Sequence, residues 1–224
     1  MKTQIDHLVV GALSLEQGVE YIRESLGVDM PYGGIHMEMG THNHLMQIGK
    51  NMFLEIIAIN NEINRPKSPR WYGLDDPFIR KQIEIQPTLL TWVVNTSNIH
   101  ELMQQATFSP GKAEVIRRGD LSWYFGLPSD GRLLAGGMLP YVIEWLTDKH
   151  PSENMVNLGC NLQGLEIHHP YSLWLQSALQ SIDAANLVKI NSLPENDLPY
   201  LKAQIKTPTG IKELLSYASF SKRS

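Results

Sequence analysis

An internal repeat constrains the fold of this chain more than any other feature of its sequence. In each copy, a short apolar strand is followed by an amphipathic helix and then by three further strands. Aligning residues 91–94 with residues 7–10 also places residues 141–145 opposite residues 52–56, with loops of different length between them. The repeat therefore predicts an α+β fold built from paired βαβββ modules.

The repeat divides the chain into four segments. The first module covers residues 1–60 and the second covers residues 87–150, with a connector rich in proline and charged residues at 61–86. Residues 151–224 contain a partial third module and a tail, without the polar pattern of the first two copies. We expect one functional domain overall, because the two full modules share a single cleft. The connector is predicted to have a short ordered piece at residues 71–74.

Composition excludes several classes of function. The 224 residues include 19 Lys and Arg against 23 Asp and Glu, and this net charge of −4 argues against a nucleic-acid partner. No apolar run approaches the ~20 residues of a membrane span, and the N-terminus lacks a signal-peptide core. The single cysteine, Cys160, favours a reducing compartment and is interpreted as a buried, inert thiol. We therefore expect a cytoplasmic protein whose partner is a small molecule.

Polar side chains interrupt apolar strands at positions that the repeat makes equivalent. Glu55 and Glu144 each lie inside a strand, where a carboxylate is costly to bury unless it is paired, protonated or metal-bound. If the modules pair their sheets, these two residues converge with His7 and Thr91. A histidine and two carboxylates suit Mn²⁺, Fe²⁺, Zn²⁺ or Ni²⁺. The alternative is that each glutamate faces solvent or is hydrogen-bonded within the sheet.

Histidines form a second group of candidates. His36, His42 and His44 lie in a glycine-rich stretch. They are predicted to act as acid–base groups, His36 and His42 in particular, or to bind an anionic substrate, because histidine titrates near neutral pH. The alternative is a solvated turn. His100 and His150 are interpreted as surface residues.

Several stretches together resemble the vicinal oxygen chelate superfamily, and within it the glyoxalase-like domain proteins. That superfamily includes glyoxalase I, the extradiol dioxygenases, and the fosfomycin- and bleomycin-resistance proteins. The resemblance covers roughly residues 4–215. It is carried by a strand histidine, a glutamate in the fourth strand, and the motifs at residues 5–10, 40–43, 53–58, 70–75, 143–145 and 150–151.

The resemblance implies an eight-stranded cup with a divalent metal on its floor, held by His7, Glu55 and Glu144. Such a metal acts as a Lewis acid on a small oxygen-rich metabolite in lyases, isomerases or dioxygenases. Thr91 departs from the pattern, since a metalloenzyme usually supplies histidine or glutamine there. A metal-free binding protein and a scaffold with a filled cup therefore remain open, as does completion of the cup in a homodimer.

Overall fold

The structure is a computed structural model that describes residues 2–216. The first module consists of strand β1, helix α1 and strands β2 to β4, at Gln4–Gly11, Leu15–Leu26, Tyr32–His36, Thr41–Gly49 and Met52–Ile59. Helix α2, at Pro77–Ile85, precedes the second module. That module contains β5, α3, β6, β7 and β8, at Thr88–Asn95, Ile99–Gln105, Lys112–Arg118, Leu121–Leu127 and Tyr141–Trp145.

These eight strands form one curved sheet in the order β2-β3-β4-β1-β5-β8-β7-β6. Within each module the first strand pairs with the last in parallel, so that β1 lies beside β4 and β5 beside β8. The modules join through the antiparallel pair β1–β5. The predicted α+β fold with paired βαβββ modules and a cup-shaped sheet is confirmed.

Strand alternation gives the curved sheet two differently lined faces. On the convex face, alternate side chains of β1 and β4, such as Leu8 and Leu54, pack against helices and the second sheet. On the concave face, Val9 and Ile57 belong to a separate apolar cluster that contains many aromatic rings. Side chains one residue apart on a strand therefore lie in different environments.

Local signals define helix α1. The Ser14 hydroxyl accepts a hydrogen bond from the Gln17 amide, which satisfies one free donor at the helix start. The helix ends at Gly27, whose φ of 74° is a left-handed conformation that glycine adopts without a Cβ clash.

The connector contributes side chains to the concave face. Trp71–Gly73 form a 3₁₀ turn at the predicted ordered piece, and Trp71 and Tyr72 are buried inside the cup. We call residues 70–75 the plug segment. Helix α2 follows it and was not predicted, although Asp76 caps it and Pro77 occupies its first turn.

The third βαβββ segment forms a separate four-stranded sheet. Its elements are β9, α4, β10, β11 and β12, at Asn161–His169, Ser172–Gln180, Lys189–Ser192, Tyr200–Thr207 and Gly210–Leu215. The strand order β10-β9-β11-β12 puts the first strand inside the sheet, whereas β1 lies at the edge of its own module. The part of the predicted tail at residues 217–224 lies outside the described residues.

Two further sequence expectations concern burial and membranes. Cys160 is buried, as predicted. Among the helices at residues 2–216, none combines the length and the apolar character needed to span a bilayer.

Candidate functional site

An irregularity in β1 places two neighbouring polar side chains at one site. The pairing of β1 with β5 shifts between Ile5 and His7, so Asp6 is an extra residue in the strand. As a result, Asp6 and His7 contact each other, although adjacent residues in a regular strand point to opposite faces. His7 Nδ1 lies 2.6 Å from Asp6 Oδ1.

The Asp6 carboxylate is fully buried and accepts four hydrogen bonds. Besides His7, its donors are Asn95 Nδ2 at 3.0 Å, Trp145 Nε1 at 2.7 Å and His150 Nε2 at 2.9 Å. Burial alone raises the pKa of Asp6, but hydrogen bonds from His150 and His7 outweigh it and hold this pKa well below its usual range. The ionised carboxylate therefore accepts a hydrogen bond from His7 Nδ1 and turns Nε2 towards the cup.

Glu55 lies beside His7 on the cup floor, since Glu55 pairs with Val9 on the neighbouring parallel strand. The distance from His7 Nε2 to Glu55 Oε2 is 3.7 Å. Asn43 Nδ2 donates a 2.6 Å hydrogen bond to Oε1 of the same carboxyl group. Burial raises the pKa of Glu55, and the nearby His7 and the Asn43 hydrogen bond offset only part of that rise. The site thus contains a carboxyl group tuned towards accepting a proton.

The plug segment supplies a third polar group. The Tyr72 hydroxyl lies 3.3 Å from His7 Nε2, within hydrogen-bond distance. Burial raises the pKa of Tyr72 well above its ordinary value, with the charge of Glu55 acting in the same direction. Tyr141 holds the segment in place, since its hydroxyl accepts a hydrogen bond from the Tyr72 amide at 3.2 Å. Tyr72 is therefore a neutral hydroxyl donor.

Arg118 and His36 form the opposite wall of the site. Arg118 NH1 donates to His36 Nε2 at 3.2 Å and to Asn43 Oδ1 at 3.3 Å. Because arginine has only donors, His36 Nε2 accepts, and the proton on Nδ1 is donated to the Thr41 hydroxyl at 3.2 Å. Burial, assisted by Arg118, lowers the pKa of His36 to about 3. The structure brings His36 to the cup in its neutral form.

The side chains line a cavity of about 30 Å³ inside the cup. A water molecule needs about 10–15 Å³ of such space, so the cavity has room for about two. Trp71 lines the cavity and is 2% exposed, and its Nε1–H has no hydrogen-bond partner among the described residues. The cavity lining consists of His7, His36, Asn43, Leu45, Phe53, Glu55, Trp71, Tyr72, Arg118, Trp123, Phe125, Ile143, Trp145, Pro151 and Met155.

Glu144 is not brought to this site. Its Oε2 accepts a 2.8 Å hydrogen bond from the Ile99 amide at the start of α3, on the convex face. The strand register gives the reason: Val9 pairs with Glu55, while the equivalent Val93 pairs with Tyr141. Tyr141 is thus the counterpart of Glu55, and the odd offset of three residues turns Glu144 to the opposite face. The predicted set of three ligands does not form.

Three other residues lie where the sequence did not place them. His42 alternates along β3 with Thr41 and Asn43, which face the cup, so His42 lies on the convex side. Thr91 is buried and donates its hydroxyl to the Gly137 carbonyl at 3.3 Å. His150 is buried against Asp6 rather than exposed at the surface.

The donor set does not complete a catalytic metal site. His7 Nε2 and Glu55 Oε2 are two suitable ligand atoms, whereas catalytic zinc centres, for example, use three protein ligands. Within residues 2–216, no three His, Cys, Asp or Glu side chains come together in a way that could hold a metal ion.

Sequence reasoning missed Asp6, Asn43, Tyr72 and Arg118. A signal existed for Asp6, which is a charged residue inside an apolar strand next to a candidate histidine. Arg118 and Tyr72 reach the site through the curvature of the sheet and the path of the connector. Neither of these has a local sequence signature.

The curved sheet of paired modules, with its polar floor, defines the vicinal oxygen chelate class of protein. Residues 5–182 match the model of a family described as the glyoxalase-like domain. The chain belongs to that glyoxalase-like domain family.

Three solved structures are similar to this chain at low sequence identity. A hypothetical protein from Staphylococcus aureus is 12% identical, with a TM-score of 0.57, over 96% of this chain and 89% of that chain. Methylmalonyl-CoA epimerase from Streptomyces coelicolor, in complex with 2-nitronate-propionyl-CoA, is 16% identical over 66% of this chain and 100% of that chain, with a TM-score of 0.41. Methylmalonyl-CoA epimerase from Mycobacterium tuberculosis is 16% identical over 63% of this chain and 86% of that chain, with a TM-score of 0.39. No curated protein gave a significant match.

Proposed function

We propose that the protein is an enzyme that moves protons on a small oxygen-rich metabolite in the cup, as an isomerase, epimerase or lyase does. The observation that carries this proposal is the pairing of Glu55 with His7, whose Nε2 and Oε2 atoms are 3.7 Å apart in a buried cavity. Proton transfer needs a base whose pKa lies near the working pH, and burial moves the pKa of Glu55 in that direction.

Each polar group has a role in this proposal. Ionised Glu55 takes a proton from a carbon next to a substrate carbonyl. The negative charge that develops on the carbonyl oxygen is stabilised by a neutral donor, the Tyr72 hydroxyl, which turns from His7 Nε2 to that oxygen. His7, oriented by Asp6, holds the Tyr72 hydroxyl in place until the substrate binds. The aromatic walls exclude bulk water.

Hydrogen exchange at carbon tests the proposal without knowledge of the product. The protein is incubated in D₂O with dihydroxyacetone, pyruvate and 2-oxobutyrate, and loss of C–H signal is followed by proton NMR. We expect exchange that Glu55→Gln reduces by at least about 100-fold, the usual contribution of a general base. Glu114→Gln, on an exposed position of β6, and His42→Gln leave it unchanged. Exchange that persists in Glu55→Gln, or is absent with every compound, contradicts the proposal.

The metal-dependent enzyme indicated by the sequence is the second candidate. It is favoured by the Asp6–His7 hydrogen bond, because carboxylates orient metal-binding histidines in this way. His7 and Glu55 would hold the ion, which would supply Lewis acidity. Metal analysis after purification without chelators, and after incubation with Mn²⁺, Fe²⁺, Ni²⁺ or Zn²⁺, tests it. Stoichiometric metal that is lost in Glu55→Gln supports this candidate, and no bound metal excludes it.

A metal-free binding protein is distinguished by the same experiments. It would show stabilisation by ligands, with neither carbon exchange nor bound metal.

A further inference from the structure

We infer that the cup binds the carboxylate group of its substrate between the Arg118 guanidinium and the indole N–H of Trp71. This inference rests on the proposed function, because it names the substrate class of the same site. It also assigns a recognition role to two side chains that the proton transfer itself leaves largely unused.

Arg118 is a partly buried cation whose hydrogen-bond partners are both neutral. Its contacts are the His36 imidazole and the Asn43 amide oxygen, and its guanidinium has further N–H groups beyond these two bonds. Asn43 lies between Glu55 and Arg118. Its amide nitrogen donates a hydrogen bond to the Glu55 carboxylate, and its amide oxygen accepts one from the Arg118 guanidinium. In the part of the chain that the structure describes, no carboxylate forms a direct ion pair with Arg118. Such a cation provides a binding partner for an incoming anion.

Trp71 independently requires a hydrogen-bond acceptor. Its Nε1–H is the buried side-chain donor without a partner among residues 2–216. An unpaired buried donor costs about 1–3 kcal/mol, which a ligand oxygen would recover on binding. Because Trp71 lines the cavity, that oxygen would lie inside the cup.

The two donor residues both contact His36. Arg118 hydrogen-bonds to His36, and the Trp71 ring packs edge-on against the same imidazole at 4.9 Å. The cavity of about 30 Å³ holds about two water molecules, and a carboxylate can replace them with its two oxygens. A planar carboxylate also matches the fork of a guanidinium, whereas a phosphate brings four oxygens into the same space.

The position of the base limits the substrate further. Arg118 and Glu55 are both hydrogen-bonded to Asn43, so a carboxylate bound by Arg118 lies close to Glu55. In a 2-oxo acid the proton that Glu55 removes is on C3, which the C2 carbonyl separates from the carboxylate. The substrate class is therefore a short acid with an oxygen on or near the carbon next to its carboxylate, such as a 2-oxo acid.

Two-dimensional NMR of the ¹⁵N-labelled protein tests binding without turnover. The indole N–H signal of Trp71 is assigned from its loss in Trp71→Phe. It is then followed during titration with sodium formate, sodium pyruvate and inorganic phosphate, with sodium chloride as the ionic-strength control. We expect formate and pyruvate to shift this signal, phosphate and chloride to leave it in place, and the exposed Trp174 to be unaffected.

Matched arginine variants identify the binding group. Arg118→Met should weaken pyruvate binding about 10- to 100-fold, the range for a hydrogen bond to a charged group. Arg117→Met, at the exposed neighbouring position of β6, should leave it unchanged. Arg118→Lys keeps the charge without the planar fork and should give an intermediate affinity, so the test does not depend on whether Arg118→Met folds.

The possible outcomes separate this inference from the proposed function. Carboxylate binding without carbon exchange supports the inference and contradicts the enzymatic proposal. Exchange of dihydroxyacetone without any shift by carboxylates overturns the inference and leaves the enzymatic proposal intact. Carboxylate shifts that persist unchanged in both Arg118 variants also overturn it.

Discussion

His150 Nε2 donates a hydrogen bond of 2.9 Å to Asp6 Oδ2 across a separation of 144 residues. The backbone amide of Ser152 donates to His150 Nδ1, which fixes the proton on Nε2. Asp6 also receives a hydrogen bond from His7, so one carboxylate connects the site histidine to the segment that follows β8. Asp6 is therefore a positioning residue for His7 and a connection between the two modules.

Asp6→Asn should lower the free energy of unfolding by about 3–5 kcal/mol, because it replaces the acceptor of a buried charged network. Urea denaturation at pH 7 measures the change. Asp120→Asn, in the exposed turn between β6 and β7, should stay within about 0.5 kcal/mol of the original chain. Equal effects of the two substitutions would show that the four hydrogen bonds to Asp6 contribute little.

The effect of Asp6→Asn should also depend on pH. The folded state holds the pKa of Asp6 below its ordinary value of 3.8, so the stabilisation is complete above about pH 5. It is lost as the pH falls from there through the folded-state pKa. The stability difference between the two proteins should therefore narrow between about pH 4 and pH 2, and a difference that stays constant over this range would contradict the assignment.

Glu55→Gln should stabilise the fold at pH 7 while it removes proton transfer. The folded state raises the pKa of Glu55 above 4.5, so ionisation costs stability as the pH rises past that value. Glutamine retains an oxygen for the Asn43 hydrogen bond without the buried charge. We expect a gain of about 0.5–2 kcal/mol at pH 7, typical of replacements that relieve a strained functional site, and almost none at pH 4.

The matched control for Glu55→Gln is the exposed Glu114→Gln, which should change stability little at either pH. Thermal denaturation of both variants at pH 4 and pH 7 provides the measurement. A Glu55→Gln protein that is less stable than the original chain at pH 7 would show that the buried charge is already compensated.

The repeat was sufficient to predict the two βαβββ modules, because strand and helix periodicity are local properties, and the curvature of their sheet was implied by the family resemblance. The repeat also placed His7 and Glu55 together, since both lie in the first module and their register follows from one parallel pair. It failed for Glu144 because a shift of three residues in β8 changes the face of the sheet, and an ungapped alignment of short motifs cannot detect such a shift.

Glu144→Ala should reduce stability by about 0.5–2 kcal/mol, because it removes the oxygen that accepts from the first amide of α3. Carbon exchange should remain, since Glu144 lies on the convex face. Glu114→Ala serves as the stability control. Loss of carbon exchange in a folded Glu144→Ala protein would instead show that Glu144 takes part in the site.

The plug segment depends on a close backbone approach at Gly131. Its carbonyl accepts a 2.8 Å hydrogen bond from the Gly73 amide, and a Cβ at Gly131 would lie 2.2 Å from the Arg70 carbonyl oxygen. Gly131→Ala should therefore displace the segment, lower stability, and change the indole signal of Trp71.

Gly136→Ala is the matched control for this substitution. Gly131 and Gly136 have φ values of 69° and 64°, but a Cβ at Gly136 meets nothing within 4 Å. Both variants should lose about 1–2 kcal/mol from left-handed strain, and Gly131→Ala should lose more because of the clash. Equal losses, with an unchanged Trp71 signal in both variants, would show that the plug segment tolerates the displacement.

The contribution of the connector could be predicted only in part. The Trp71–Gly73 turn was expected to be ordered, but its insertion into the cup depends on contacts with distant residues such as Tyr141 and His7. Arg118 reaches Asn43 from the opposite edge of the curved sheet, across 75 residues of sequence. Such contacts follow from sheet curvature, which no local pattern specifies.

The unequal halves of the cup have a stereochemical consequence. Glu55 in one half corresponds to Tyr141 in the other, and the Tyr141 hydroxyl is bound to the plug segment and to the Arg132 carbonyl. A flat substrate therefore meets an acid–base group on one side and aromatic rings on the other. A methylene group held in such a cup would exchange only one of its two hydrogens, so the proposed enzyme would distinguish mirror-related positions despite its repeated architecture.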